Sequence, residues 1–199
     1  IAICWIEGPL SDACYLTGVN EMLIYLMTDP DFSNFLMDKC MVTAKDFAKA
    51  QIEAGCDIMG IGDAICSQID KDSYDLYVKD RHRELIAFVH ECGASVKLHI
   101  CGNITHLLES LKELNADIVD LDWQVDLDNA RKILGNEVVL GGNINPVLVQ
   151  DKSEEEVYTL SRRLVDNYRD QKYLLAAGCE ITVLTPHKNL MAMRRASIL

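Results

Sequence analysis

The chain has 199 residues, and its 19 lysine and arginine residues against 31 aspartate and glutamate residues give a net charge of −12. This charge disfavours binding to nucleic acids and to anionic membranes, because both depend on basic residues that neutralise phosphates. The hydrophobic fraction of 49% is that of a folded globular domain and excludes a disordered chain.

Short apolar runs alternate along the chain with segments of helical periodicity. The strands are predicted at residues 1–6, 56–61, 95–100, 117–121, 138–140 and 173–177. The helices are predicted at residues 35–54, 74–90, 104–114 and 127–134, from the Ser153 capping box to Tyr168, and from Pro186 onward.

This alternation predicts an α/β fold built from right-handed βαβ units around a parallel sheet. An open doubly wound sheet and a TIM (β/α)8 barrel both fit the pattern. The turn after the first strand reads Glu7-Gly8-Pro9-Leu10, which is not a phosphate-binding glycine loop, so the barrel is favoured. Six units are two short of eight. We therefore expect residues 1–199 to form one barrel domain that lacks its N-terminal strands, as the C-terminal three quarters of a longer chain.

Eight cysteines are spread widely along the chain without the spacings of a disulfide framework. Free thiols are typical of a reducing compartment, so a cytoplasmic location is expected. The sequence also has no apolar run of about 18 residues and no signal peptide, and a membrane partner is not expected.

Polar side chains follow almost every predicted strand, at the end where a barrel keeps its active site. They are Glu7, Asp63, His99 with Cys101, Asp122, Asn143 and Cys179.

The segment His99-Ile100-Cys101 is the sharpest local feature. Residues two apart on a strand face the same side, so His99 and Cys101 project together into the barrel mouth. Imidazole and thiolate are zinc ligands, and Cys179 follows the last strand at the same end. Two cysteines and one histidine leave one open position, as in catalytic zinc sites. Asp122 could fill that position or act as a hydrogen-bonding neighbour.

Several motifs together resemble the uroporphyrinogen decarboxylase superfamily, and more narrowly its zinc-dependent methylcobamide:coenzyme M methyltransferase branch. They are Glu7-Gly8-Pro9, Gly62-Asp63, His99-Ile100-Cys101-Gly102, the segment from Leu121 to Asp126, Gly142-Asn143-Ile144-Asn145-Pro146 and Gly178-Cys179-Glu180.

The resemblance implies that His99, Cys101 and Cys179 bind zinc, which activates a small thiol for methyl transfer with a methylcorrinoid. A corrinoid protein or a free corrinoid would be the partner at the barrel mouth, and a homodimer is a further expectation. Asp63 and Asp122 are the predicted catalytic residues.

Local roles compete with these functional ones. Asp63 could orient the substrate or the metal ligands, or be a satisfied strand-end carboxylate or helix cap. Asn143 and Trp123 are the predicted substrate-binding residues, although turn chemistry or rim packing would also explain them. His82, His90 and His106 are expected far from the strand ends, and Cys66 lies at the active end.

Two other functions stay open at this point. One is a metal-free decarboxylase that acts on a tetrapyrrole, as in the decarboxylase branch of the same superfamily. The other is a non-catalytic barrel in which a fourth protein ligand closes the zinc site.

Overall fold

The computed structural model describes residues 1–198, which form one six-stranded parallel sheet in which the strands lie side by side in chain order. The strands are β1 (Ile3–Glu7), β2 (Ile58–Gly62), β3 (Ser95–Ile100), β4 (Ile118–Leu121), β5 (Val139–Ile144) and β6 (Tyr173–Ala177).

Helices connect all six strands, as βαβ units require. They are α1 (Pro9–Thr17), α2 (Val19–Thr28), α3 (Pro30–Glu53), α4 (Lys71–Tyr77), α5 (Lys79–Glu91), α6 (Leu108–Lys112), α7 (Leu127–Leu134), α8 (Pro146–Asp151), α9 (Glu154–Asn167) and α10 (His187–Ser197). Short 3-10 helices cover Ala64–Gln68 and Thr105–Leu107. None of the described helices is long and apolar enough to cross a membrane.

The predicted α/β class and parallel barrel-type architecture are confirmed. Strand pairing runs from β1 to β6 without interruption, and between residues 1 and 198 the two outer strands do not pair with each other. The six strands therefore form an arc of a barrel. Its main apolar core lies between the sheet and the helices that cover its outer face.

Several predicted elements differ from the observed ones. The predicted helix 35–54 begins at Pro30, where the Asp29 side chain caps it by accepting a hydrogen bond from the Phe32 amide. The predicted helix 74–90 is two helices that meet at Val78, and the last helix has Pro186 at its N-cap rather than inside its first turn. The predicted strand 138–140 continues to Ile144.

Helices α1, α2 and α8 were not predicted. In α1 and α2 large apolar side chains such as Tyr15, Leu16 and Ile24 are exposed, so the apolar pattern does not follow the buried face. Hydrophobic periodicity locates a helix only when its apolar residues face the core.

The strand register places Glu7, Gly62, His99 and Asp120 side by side at one level of the sheet. Laterally paired residues of parallel strands point to the same face, so these residues share the concave face of the arc. The level below contains Trp5, Gly60 and Lys97. The concave face thus carries charged and aromatic side chains next to glycines.

Trp5 lies flat over the neighbouring strand because that strand has no side chain there. A Cβ atom built on Gly60 would come within 1.9 Å of Trp5 Cε3. Gly60 is therefore the residue that lets the indole ring pack inside the arc.

We predict that Gly60→Ala displaces the Trp5 ring and lowers the free energy of unfolding by about 1–3 kcal/mol, the usual cost of overpacking. Urea denaturation followed by tryptophan fluorescence measures both effects. In a Trp5→Leu background the same substitution should cost much less, because the overlapping ring is gone. Equal costs in the two backgrounds would contradict this account of the packing.

Candidate metal centre and its cavity

A cavity of about 540 Å³ opens at the carboxyl ends of the strands, where the sequence predicts the functional site. Its polar, thiol and aromatic side chains come from β1, β3, β4, α1 and the segments after β3 and β6. These residues are Trp5, Glu7, Tyr15, Lys97, His99, Cys101, Asp120, Cys179 and Glu180.

Three predicted metal ligands meet in this cavity. His99 Nε2 lies 2.9 Å from Cys101 Sγ, and Cys101 Sγ lies 3.0 Å from Cys179 Sγ. His99 is at the end of β3, Cys101 directly follows that strand, and Cys179 follows β6. His99 is buried and both cysteines are partly exposed to the cavity.

The donor set fits a zinc ion. One donor atom from each of the three residues lies within 4.8 Å of the other two. Donors around a tetrahedral zinc lie about 3.5 Å apart, given bond lengths of about 2.0 to 2.3 Å, so small side-chain rotations would suffice. Imidazole and two thiolates are also chemically suited to zinc. Among residues 1–198 this cluster has three ligand residues, so an external ligand could complete a tetrahedron.

Backbone contacts orient His99 for this role. Its Nδ1 atom donates a hydrogen bond to the carbonyl oxygen of Asp120 at 3.0 Å. A carbonyl oxygen only accepts, so Nδ1 carries the proton and the lone pair of Nε2 faces Cys101. This outer hydrogen bond fixes the ring as histidine ligands require.

A buried ion pair lies beneath His99. Lys97 Nζ is 2.9 Å from Asp120 Oδ2, and His99 Nδ1 is 3.4 Å from the same oxygen. Both members of the pair are largely inaccessible, with side-chain exposures of 15% and 8%. Lys97 is two residues before His99 on β3, so the strand period brings both to the concave face. Sequence reasoning missed this pair, although the same period of two identifies Lys97.

The surroundings of Cys101 keep its thiol protonated. Burial first, then the neighbouring Cys179 thiol and the Asp122 and Asp120 carboxylates, together raise the pKa of Cys101 to about 12. A metal ligand must be a thiolate, so metal binding at this site has to displace a proton.

Asp122 is buried at the end of β4, and backbone amides occupy both of its carboxylate oxygens. Oδ2 accepts a hydrogen bond from Gly102 N and Oδ1 accepts one from Gln124 N, each at 3.0 Å. Asp122 is outside the ligand cluster and fixes the loop that begins at Cys101. This favours the hydrogen-bonding alternative for Asp122 over a place as fourth ligand, and its catalytic role stays a prediction.

Asp63 is fully buried and is not among the residues that line the cavity. Its carboxylate accepts hydrogen bonds from Ser11 N at 2.7 Å and Leu10 N at 3.3 Å, at the start of α1. It also accepts one from His82 Nε2 at 3.0 Å, and His82 Nδ1 meets the Tyr74 hydroxyl at 2.9 Å. The observed contacts are those of a satisfied helix-capping carboxylate, and the catalytic role of Asp63 stays a prediction.

The expectation that His82 lies far from the strand ends is wrong. Helix α5 packs its buried face against the sheet, which brings His82 to the carboxylate after β2. Cys66, also fully buried, completes a second group with Asp63 and His82. Burial, with help from Asp63, raises the pKa of the Cys66 thiol well above its usual range. The group is enclosed, and hydrogen bonds occupy the Asp63 carboxylate and both His82 nitrogens.

Trp123 and Asn143 do not line the metal-cluster cavity. They border a shallow neighbouring depression together with Val125 and Tyr168. Asn143 Nδ2 donates to the carbonyl of Val125 at 2.7 Å, which holds the loop after β4. Both residues therefore lie beside the metal-cluster cavity, and their role in substrate binding stays a prediction.

The sequence is similar to proteins of a known family over nearly its whole length. The family model described as Uroporphyrinogen decarboxylase (URO-D) matches residues 2–197. The chain is 29% identical over 189 residues to the methylcobamide:CoM methyltransferase MtbA of Methanosarcina mazei, covering 94% of the chain and 54% of that relative. It is 27% identical over 196 residues to the uroporphyrinogen decarboxylase of Prochlorococcus marinus, covering 93% and 55%. The chain thus spans about half the length of these curated relatives.

Solved structures share the fold. A methyltransferase from Methanosarcina mazei superposes with a TM-score of 0.89 at 22% identity, over 98% of this chain and 57% of that one. A B12-independent methionine synthase from Shewanella sp. W3-18-1 gives a TM-score of 0.59 at 16% identity, over 98% and 59%. These similarities establish the architecture.

We predict that Asp63→Ala lowers the free energy of unfolding by about 3 kcal/mol, because it leaves buried amides of α1 and the His82 ring without their acceptor. Urea denaturation is the measurement. Asp63→Asn is the matched control, since its amide oxygen can still accept from Ser11 N, and its loss should be clearly smaller. Similar losses for both variants would show that the hydrogen bonds to α1 are not what Asp63 contributes.

Proposed function

The chain belongs to the uroporphyrinogen decarboxylase family, and we propose that it holds the zinc site of a methyltransferase that joins a corrinoid methyl group to a thiol. The observation that carries the proposal is the meeting of His99, Cys101 and Cys179 in one cavity. The similarity to a methylcobamide:CoM methyltransferase supports the corrinoid and the thiol as reactants.

The protein residues prepare a three-ligand site with one position left for substrate. Zinc, when bound, would favour the thiolate form of a substrate thiol. In the overall reaction a sulfur–carbon bond forms, the cobalt–carbon bond of the methylcorrinoid breaks, and the thiol proton is released. The chain's own contribution is to fix the ligands: the Asp120 carbonyl orients His99, and Asp122 fixes the loop at Cys101.

The shape of the cavity suits a small substrate and a large partner. Its volume of about 540 Å³ accommodates a small thiol, and its mouth at the strand ends is where barrel enzymes bind reactants. A corrinoid, free or protein-bound, would approach from this side. Trp123 and Asn143 border the adjacent depression, where they could contact such a partner.

Two thiol ligands must stay reduced, so a cytoplasmic site of action is part of the proposal.

The two competing functions are less well supported by the site. A metal-free decarboxylase, which similarity to decarboxylases also suggests, has no use for two thiols and an imidazole in contact. A closed structural zinc site would need a fourth protein ligand. Within residues 1–198 the cluster has three ligand residues, and it faces the cavity.

We predict that the purified protein binds about one zinc per chain and that His99→Ala reduces the zinc content at least tenfold, as loss of one of three ligands should. Elemental analysis after dialysis measures this. His106→Ala is the control, because His106 is exposed and bonds to the Ile69 carbonyl instead. Equal zinc contents in the two variants would refute the assigned ligand set.

Methyl transfer itself gives a second prediction. The full-length protein should convert methylcobalamin to demethylated cobalamin only when a thiol is present, which visible absorption follows directly. Cys179→Ser should lower the rate at least a hundredfold, whereas Cys92→Ser, which changes a cysteine at the end of α5, should not. Decarboxylation of a tetrapyrrole without metal, with no demethylation, would establish the competing function.

A further inference from the structure

The side chains that line the cavity carry more negative than positive charge. Lys97 is the one lysine or arginine among the described residues that line the cavity, and its ammonium is paired with Asp120 at 2.9 Å. Two further carboxylates, Glu7 and Glu180, line the same space. Neither has an ion-pair partner among residues 1–198. The cavity lining therefore has two carboxylates whose negative charge no lysine or arginine of the lining neutralises.

Glu7 has a position in the cavity that the sheet fixes. It stands at the end of β1, half-buried, at the same sheet level as Gly62 and His99. Burial and the nearby carboxylates of Asp12 and Asp63 raise the pKa of Glu7. A like-charged surrounding destabilises another anion here and favours a cation.

Two aromatic side chains in the cavity also favour a cationic ligand. Trp5 and Tyr15 line the cavity and are 40% and 70% exposed, so their surfaces are available to a ligand. The Trp5 ring lies 6.3 Å from the His99 ring and already has Lys97 Nζ at 6.0 Å from its centroid. Aromatic faces attract cations through their quadrupole and do not attract anions.

We propose that this cavity selects a thiol whose far end is a protonated amine over a thiol that ends in a sulfonate or carboxylate. The sulfur is directed to His99, Cys101 and Cys179, and the ammonium group lies near Glu7 and the aromatic faces. The inference rests on the proposed thiol-binding function and adds the chemical class of the substrate. A unit charge about 6 Å from a carboxylate in a partly hydrated site changes affinity about tenfold, with opposite signs for the two thiols.

Three probes of equal chain length separate charge from shape: cysteamine, 2-mercaptoethanol and 2-mercaptoethanesulfonate. Their affinities are measured on the cobalt-substituted full-length protein from the increase in thiolate-to-cobalt absorption above that of the two cysteine ligands. This signal does not depend on turnover. Each charged thiol is normalised to 2-mercaptoethanol in the same variant. The comparison of variants cancels the different thiol pKa values of the probes.

We expect the wild-type protein to prefer cysteamine to 2-mercaptoethanesulfonate by about a hundredfold after normalisation, because the two tenfold effects have opposite signs. Glu7→Gln should reduce this preference about a hundredfold, because it removes both tenfold effects. Glu155→Gln, which changes an exposed carboxylate on α9 remote from the cavity, should leave the preference unchanged. Raising the salt concentration should also weaken the wild-type preference, which tests the charge effect without any substitution.

The outcomes distinguish the two proposals. A preference for 2-mercaptoethanesulfonate, or a cysteamine preference unaffected by both Glu7→Gln and salt, would overturn the inference while the thiol-binding function stands. If none of the three thiols changes the cobalt absorption, the proposed function is overturned, and the inference with it.

Discussion

The curvature of the parallel sheet is the constraint on which the site depends. Cys101 follows β3 and Cys179 follows β6, and these strands are three positions apart in the sheet. In a flat sheet that separation is about 14 Å, since neighbouring strands lie about 4.8 Å apart. The observed 3.0 Å between the two Sγ atoms therefore requires the sheet to curl into an arc. Gly60 permits part of this packing on the concave face, because its missing side chain is where the Trp5 ring lies.

Buried carboxylates hold the loops around the cluster in place. Asp63 binds the first amides of α1, and Asp122 binds the amide of Gly102 next to the candidate ligand Cys101. Burying a carboxylate is costly unless hydrogen bonds satisfy it, so each of these contacts fixes the local backbone strongly. Asp120 combines a side-chain ion pair to Lys97 with a backbone hydrogen bond to His99. Asp120, Glu7 and Glu180 all line the cavity, and of these three only Asp120 has an ion-pair partner among residues 1–198.

Local patterns predicted the sheet better than the helices. The strand 95–100 is found as predicted, because β-branched and apolar residues in a buried strand leave little choice of structure. The presence of α1 and α2 was missed, since exposed apolar side chains such as Leu16 and Ile24 obscure the buried faces of these two helices. The split at Val78 depends on how α4 and α5 pack, which periodicity does not report. Cys179 became a candidate ligand because it directly follows the last predicted strand, and the family resemblance implied the same role.

The sequence by itself determined the parallel α/β architecture and the pairing of His99 with Cys101, because a strand repeats every two residues whatever surrounds it. Only the tertiary structure decided which distant groups meet. It brought Cys179 to Cys101 and His82 to Asp63, and it placed Trp123 and Asn143 outside the cavity. The reason is physical: local periodicity fixes the face on which a side chain lies, whereas sheet curvature and helix packing fix the distances between faces.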